Sequence, residues 1–408
     1  DGILYNVEEI KGLLDGEVDT LHFDEAWLPH ASFHDFYGDF HAIGEDRPRC
    51  KESMIFSTQS THKLLAGLSQ ASQILVQDPE NRQLDVPSFN EAYLMHTSTS
   101  PQYAIIASCD VAAAMMEQPG GQALVEESLV EALDFRRAMR KVDEEYGRDW
   151  WFRVWGPEEL SDDGICDPVD WELKPGAHWH GFDGYAQDQY FVDPCKLLLT
   201  TPGIDARNGE YEAFGVPATI LANFLRENGV VPEKCDLNSI LFLLTPAEDM
   251  AKLQQLVALL VRFEKLLESD APLAEVLPSI YKQHEERYAG YTLRQLCQEM
   301  HDLYARHNVK QLQKEMFRKE HFPRVSMNPQ EANYAYLRGE VELVRLPDAE
   351  GRIAAEGALP YPPGVLCVVP GEIWGGAVLR YFSALEEGIN LLPGFAPELQ
   401  GVYIEEHD

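Results

Sequence analysis

The sequence is poor in positive charge: 33 lysines and arginines stand against 68 aspartates and glutamates, a formal net charge of −35. So acidic a chain repels nucleic acid, whose binding draws most of its affinity from basic side chains neutralising phosphates. A small cationic substrate would be drawn in. No stretch of about 18 apolar residues is present and no basic-then-apolar leader opens the chain, so neither a membrane span nor a signal peptide is expected. Cysteine is sparse: Cys50, Cys109, Cys166, Cys195, Cys235, Cys297 and Cys367 form no CxxC pair and no zinc-like spacing. That pattern suits a reducing, cytoplasmic compartment. The phosphate loop GxxxxGK[ST] and the dinucleotide loop GxGxxG are both missing, so any phosphate would be held by hydroxyls and backbone.

What remains is a globular chain. Its 408 residues, 45% of them hydrophobic, predict two or three packed domains. A surface this acidic repels itself at neutral pH, so any large assembly is expected to tighten as carboxylates are protonated.

Three short apolar runs, Thr20 to Asp24, Ser53 to Thr58 and Gln73 to Gln77, read as buried strands whose ends deliver polar side chains. Helical patterns follow from Gln102 to Met116, entered through Ser100 and Pro101, and from Gln122 to Val142. Strands alternating with helices predict an α/β layered domain over residues 1–150. An aromatic strand is expected at Trp150 to Trp155, and residues 151–184 read as a linker rich in Asp, Gly and Pro. Residues 185–408 read as an α+β domain of their own. It should hold a strand at Lys196 to Thr200 and a helix at Val216 to Asn228 with Pro217 in its first turn and Gly229 past its end. A capping box of Thr245, Pro246 and Glu248 should open a long helix burying Leu253, Leu256, Val257, Leu260, Phe263 and Leu267. Further helices are expected near 291–309 and 376–387, with a Pro-rich loop at 360–363 and a last strand near Val402.

Ser60, Thr61, His62 and Lys63 follow a strand, where packing can desolvate a lysine amine and hydroxyls can flank it; such a lysine can form a Schiff base. A lysine in a short motif is ordinarily just an exposed surface residue. Asp24 ends another strand and is followed by Glu25, Ala26 and Trp27. A strand-end carboxylate is what a pyridinium nitrogen needs to stay protonated, although such an aspartate commonly caps the turn that follows it. His30, His34 and His41 lie in what reads as a loop, so no metal site is assigned. Gly67-Leu68-Ser69-Gln70-Ala71 lacks the last glycine of the hydrolase elbow. His178-Trp179-His180 reads as a packed turn whose role stays open. Glu233 sits beside an apolar run, able to receive a substrate ammonium but by default facing solvent or paired with Lys234.

Taken together, Phe23-Asp24-Glu25-Ala26-Trp27, Ser60-Thr61-His62-Lys63 and Met95-His96-Thr97-Ser98-Thr99-Ser100-Pro101 resemble the bacterial ornithine/lysine/arginine decarboxylases. So do His178-Trp179-His180-Gly181-Phe182, Thr201-Pro202-Gly203 and Pro360-Tyr361-Pro362-Pro363-Gly364. The resemblance runs over essentially the whole chain. It implies an α/β, aspartate-aminotransferase-like large domain of pyridoxal-phosphate fold type I, represented by its C-terminal part, followed by an α+β C-terminal domain. It also implies a homodimer with shared active sites, and family members often stack five dimers into a decamer.

The resemblance further implies pyridoxal 5′-phosphate held by Lys63, with Asp24 on its ring nitrogen and Ala26, Trp27, Ser60 and His62 beside it. Ser98 would reach the phosphate in the neighbouring subunit's site, His62 would act with Lys63 in proton transfer, and Glu233 would receive the distal ammonium of the substrate. Glu233 disfavours arginine; the stretches Phe89 to Pro101 and Ala112 to Met116 lean to lysine, giving cadaverine and carbon dioxide, with ornithine as the alternative. An aminotransferase or a non-catalytic scaffold are readings of other classes. Full-length members begin with a wing domain, a linker and the first part of the large domain, none of which precedes Asp1, so a piece of a longer protein is expected.

Overall fold

The computed structural model describes residues 2–45, 47–146, 152–161, 164–205, 208–246, 250–361 and 364–403. The chain divides into two units: Asp1–Val142, Val154–Leu197 and Leu243–Gln254 form one, and Asp143–Arg153, Leu198–Phe242 and Gln255–Asp408 the other.

The first unit opens with β1 (Ile3–Tyr5) and α1 (Val7–Leu14), then alternates β2 (Thr20–Asp24), β3 (Met54–Gln59), α2 (Thr61–Leu64) and β4 (Gln73–Gln77). These three strands form a sheet in the order β2-β3-β4. The pair β2/β3 is parallel, with Phe23 opposite Ser57 and Asp24 opposite Thr58, and β3/β4 is antiparallel, with Gln59 opposite Gln73. Alternation sends successive side chains to opposite faces. Leu21 and Phe23 therefore join Val7, Ala42, Cys50 and Ile55 in an apolar cluster, while Thr20, His22 and Asp24 face outward.

After β4 come α3 (Val86–His96), α4 (Tyr103–Met115) and α5 (Gly120–Tyr146). Helix α5 buries Val125, Leu129, Ala132 and Leu133 completely. By contrast α3 buries no residue, and Met95 (73% exposed), Tyr103 (78%), Ile106 (53%) and Val111 (54%) are bare. Its lack of an apolar stripe is why no helix was expected there. Helix α4 starts from Gln102, not through Ser100 and Pro101.

Asp193 is fully buried and receives Lys196 Nζ at 2.7 Å, the Tyr37 hydroxyl at 3.1 Å and the Cys195 backbone N–H at 2.9 Å. His30 Nε2 lies 3.0 Å from the same Tyr37 hydroxyl. A buried ion pair survives best when hydrogen bonds satisfy its remaining groups, and here both Asp193 oxygens are met.

A four-stranded sheet runs in the order β5-β7-β9-β8, made of β5 (Arg153–Val154), β7 (Lys196–Thr200), β8 (Lys234–Cys235) and β9 (Ser239–Leu243); β6 (Tyr190–Val192) pairs with β1 in the first unit. Of the aromatic strand expected at 150–155 only Arg153–Val154 is extended, Trp150 and Trp151 lying outside the described residues. Helix α6 (Ala218–Glu227) takes Pro217 as its N-cap, one position earlier than expected, and Gly229 beyond its end adopts φ +82°. Helix α7 (Met250–Glu268) buries Leu260, Phe263 and Leu267 fully, while Glu248 of the expected capping box lies outside the described residues.

Further along, the helices Val309–Met316 and Gly376–Leu391 share a core of Val309, Leu312, Val378, Phe382 and Leu385. The Pro-rich stretch departs from expectation. Leu359–Tyr361 forms β10, paired antiparallel with β11 (Glu398–Gln400), so the last strand ends before Val402. Proline is tolerated at such a short edge, where its missing N–H is not needed. Among the described residues no helix is long and apolar enough to cross a membrane, and all seven cysteines are free thiols.

Candidate active site

Parallel strands β2 and β3 end side by side, and in α/β sheets ligands sit outside the carboxyl ends of the strands. Beyond β2 the chain turns at once, Leu28 N–H donating to Glu25 O at 2.8 Å. Beyond β3, Ser60 leads into the single turn α2. This juxtaposition gathers Asp24, Ala26, Trp27, Ser60, His62 and Lys63 at one end of the sheet.

Asp24 is exposed, with Oδ1 accepting from the Ala26 N–H at 3.0 Å. Asp24 thus does cap the turn that follows it, through Oδ1. On the same face, His22 Nε2 lies 3.2 Å from Thr58 Oγ1. Lys63 is also exposed, its Nζ 5.8 Å from the centroid of the Trp27 ring, a cation–π distance. The desolvation by packing expected of this lysine is therefore not supplied by the described residues. Among them, no ion pair engages Lys63 or Asp24.

His62 is fixed by the loop after α2: its Nδ1 lies 2.8 Å from Ala71 O, and its backbone N–H donates to the same carbonyl at 3.1 Å. A carbonyl partner requires the proton on Nδ1, which leaves Nε2 as the basic nitrogen of the neutral ring. The loop closes because residue 67 is glycine. A Cβ there would stand 2.9 Å from Ala71 Cβ and 3.0 Å from backbone atoms of Thr61 and His62. Ser60 makes no side-chain cap bond to α2.

The other expected residues lie elsewhere. Ser98 is exposed between α3 and α4, its Oγ accepting from the Ser100 N–H at 3.2 Å. Glu233 belongs to the second unit, exposed, its backbone N–H bonded to Leu241 O at 2.9 Å. His180 is buried in an aromatic turn between Trp179 and Phe182, Nδ1 accepting from the Phe182 N–H at 2.9 Å, and burial lowers its pKa.

Motif reading missed Glu25. It is 3% exposed and accepts from Ala42 N–H at 2.5 Å, Ser57 Oγ at 2.5 Å and Gln59 Nε2 at 3.2 Å. Strand alternation carries the signal, since a side chain next to outward-facing Asp24 must point inward.

The donor set suits pyridoxal phosphate. A primary amine without an ion-pair partner among the described residues can capture an aldehyde, and an exposed carboxylate at the neighbouring strand end can hold a pyridinium proton.

Residues 1–252 match the family model of the Orn/Lys/Arg decarboxylase major domain, and residues 310–408 that of the Orn/Lys/Arg decarboxylase C-terminal domain. The chain is 67% identical to the inducible ornithine decarboxylase of Escherichia coli K12, over 100% of this chain and 57% of that protein. It is 54% identical to the constitutive ornithine decarboxylase of the same organism, over 99% and 58%. Among solved structures, lysine decarboxylase A from Pseudomonas aeruginosa superposes with a TM-score of 0.92 at 43% identity, over 100% of this chain and 54% of that one. The chain thus spans a little over half the length of the relatives it matches. Its fold is the α/β major domain of pyridoxal-phosphate fold type I with a C-terminal domain after it, and the chain belongs to the Orn/Lys/Arg decarboxylase family.

Proposed function

We propose that the full-length protein is a pyridoxal-phosphate-dependent decarboxylase of a basic amino acid, converting ornithine to putrescine and carbon dioxide. The exposed Lys63 and Asp24 at adjacent parallel strand ends support the cofactor chemistry, and membership of the Orn/Lys/Arg decarboxylase family supports decarboxylation as the reaction. For the substrate, the lean to lysine drawn from Phe89 to Pro101 and Ala112 to Met116 yields to ornithine, because the relative named for ornithine is 67% identical and the solved structure named for lysine 43%. Ornithine and lysine differ by one methylene, worth only about 1–3 kcal/mol of discrimination, so overall likeness outweighs a local motif.

Pyridoxal 5′-phosphate, when bound, supplies an electron-accepting ring that takes up the charge left on the α-carbon as the bond to the carboxylate breaks. Lys63 holds the group through its amine and afterwards returns a proton to the α-carbon. Asp24, its Oδ1 tied to Ala26, keeps the ring nitrogen protonated. Trp27 lines the site beside Lys63. His62, with Nδ1 committed to Ala71 O, offers Nε2 as the second proton carrier. Ser60 is a hydroxyl for the phosphate, and Glu233 receives the distal ammonium.

A homodimer with shared sites is part of this reading. The bare apolar side chains of α3 and α4 support a surface for a second copy, and in this reading Ser98, exposed between those helices, serves the partner's site.

The test is carbon dioxide release by the full-length protein from ornithine, lysine and arginine offered separately, with Lys63→Ala as control. Release from ornithine foremost, absent in the control, is expected. Faster release from lysine would move the assignment to cadaverine formation. No release from any of the three despite bound cofactor would move it to an aminotransferase or a scaffold.

A further inference from the structure

Glu25 is a carboxylate in a place where the fold would accept a hydrocarbon. It lies on the buried face of the sheet with Leu21 and Phe23, above a cluster of Val7, Ala42 and Ile55. Burying a carboxylate is costly unless hydrogen bonds replace its hydration. Here three donors do so: Ala42 N–H and Ser57 Oγ at 2.5 Å, and Gln59 Nε2 at 3.2 Å. Gln59 is itself oriented, its Oε1 accepting from Gln73 Nε2 of β4 at 3.0 Å. The Ala42 loop is held from its other side by Lys11 Nζ on Ala42 O at 2.5 Å. The Glu25 backbone N–H donates to Thr58 O at 2.9 Å.

These bonds tie Glu25, the residue that follows β2, to Ser57 and Gln59 at the end of β3 and to the Ala42 loop. Asp24 is one residue before Glu25, and Ser60-Thr61-His62-Lys63 begins directly after Gln59. A leucine would fill the volume without fixing direction, whereas an acceptor met from three sides fixes strand register and the twist of the Asp24 peptide together. We propose that Glu25 is a positioning residue: it sets the spacing between the Asp24 carboxylate and the Lys63 amine, and so the grip of Asp24 on the ring nitrogen. This rests on the proposed function.

The experiment uses the full-length holoenzyme with Glu25→Gln, Ser57→Ala and, for reference, Asp24→Asn. Glutamine keeps the shape but turns an N–H₂ toward donors, so the new side chain is accommodated only if the Gln59 and Gln73 amides both reverse. The expected result is a kcat for Glu25→Gln at least tenfold down, with KM within about twofold, melting temperature near wild type, and the absorption band of bound cofactor moved in the same direction as in Asp24→Asn. Ser57→Ala, which keeps the carboxylate and removes one donor, should move kcat and band the same way by less; it decides the matter if Glu25→Gln does not fold. Variants with a lowered melting temperature but wild-type kcat and band overturn the proposal, leaving Glu25 a stabilising group only. If wild type itself shows no cofactor band, the proposed function fails and not the positioning role alone.

Discussion

At the level of single side chains, two residues dominate expectation. Lys63→Ala should abolish carbon dioxide release and leave no cofactor attached after borohydride reduction, a loss read by mass spectrometry. Asp24→Ala should retain cofactor yet lose most of kcat, and equal turnover by wild type and variant would remove Asp24 from its assigned role. The positions of both at strand ends were legible because short motifs follow apolar runs there. Glu25 was not, although it stands between Asp24 and Ala26. A motif is read along the chain, while Glu25 acts across it, on Ser57, Gln59 and Ala42. The exposure of Lys63 was equally hidden, since desolvation depends on what covers a strand end.

Two histidines carry a pH prediction. Burial, with Lys196 nearby, pushes His30 down to about 3, and burial with Arg47 and Lys11 nearby pushes His41 down to about 4. Unfolded, each would titrate near 6.5, so between that pH and about 4 the unfolded chain binds more protons and stability falls as pH falls. The slope is about 1.4 kcal/mol per pH unit for each fully linked histidine. Urea midpoints at pH 7 and pH 5 should show the loss, and His41→Asn should flatten it; a midpoint independent of pH would mean that both rings accept protons in the folded state.

Among the elements, β2, β3 and β4 were readable because an apolar run bounded by polar residues is a strong strand signal, and α7 because its leucines recur at helical spacing. Helix α3 was not, because it buries nothing that would leave a stripe in the sequence. Element ends were read less well. Pro217 caps α6 from outside, and Pro360 sits within β10. The loop that follows α2 offers a sharp test of local packing. Gly67→Ala would drive a methyl into Ala71 and the backbone of Thr61 and His62, so it should cost about 1–3 kcal/mol and reduce kcat by displacing His62. Thermal melts with activity assays would check both. In α7, Leu260→Ala should cost about 2–5 kcal/mol, read by chemical denaturation, with no direct effect on the site in the first unit.

For the whole molecule, the acidic composition sets two trends against each other. Protonating carboxylates relieves self-repulsion and favours assembly, while protonating His30 and His41 loosens the first unit. Light scattering of the full-length protein between pH 8 and pH 5.5 should show mass rising as pH falls. Constant mass would mean that surface charge does not control association. A third property concerns β2. It is an edge of its sheet, and among the described residues no strand pairs with its outer side. A bare edge of this kind acts as a ruler. Any strand that docks there must align in whole residue steps of about 3.3 Å, with its side chains alternating in phase with those of β2. Whatever group such a strand brings beside Asp24 would then arrive at a height fixed by the register, so that a slip by one residue would turn that group to the opposite face.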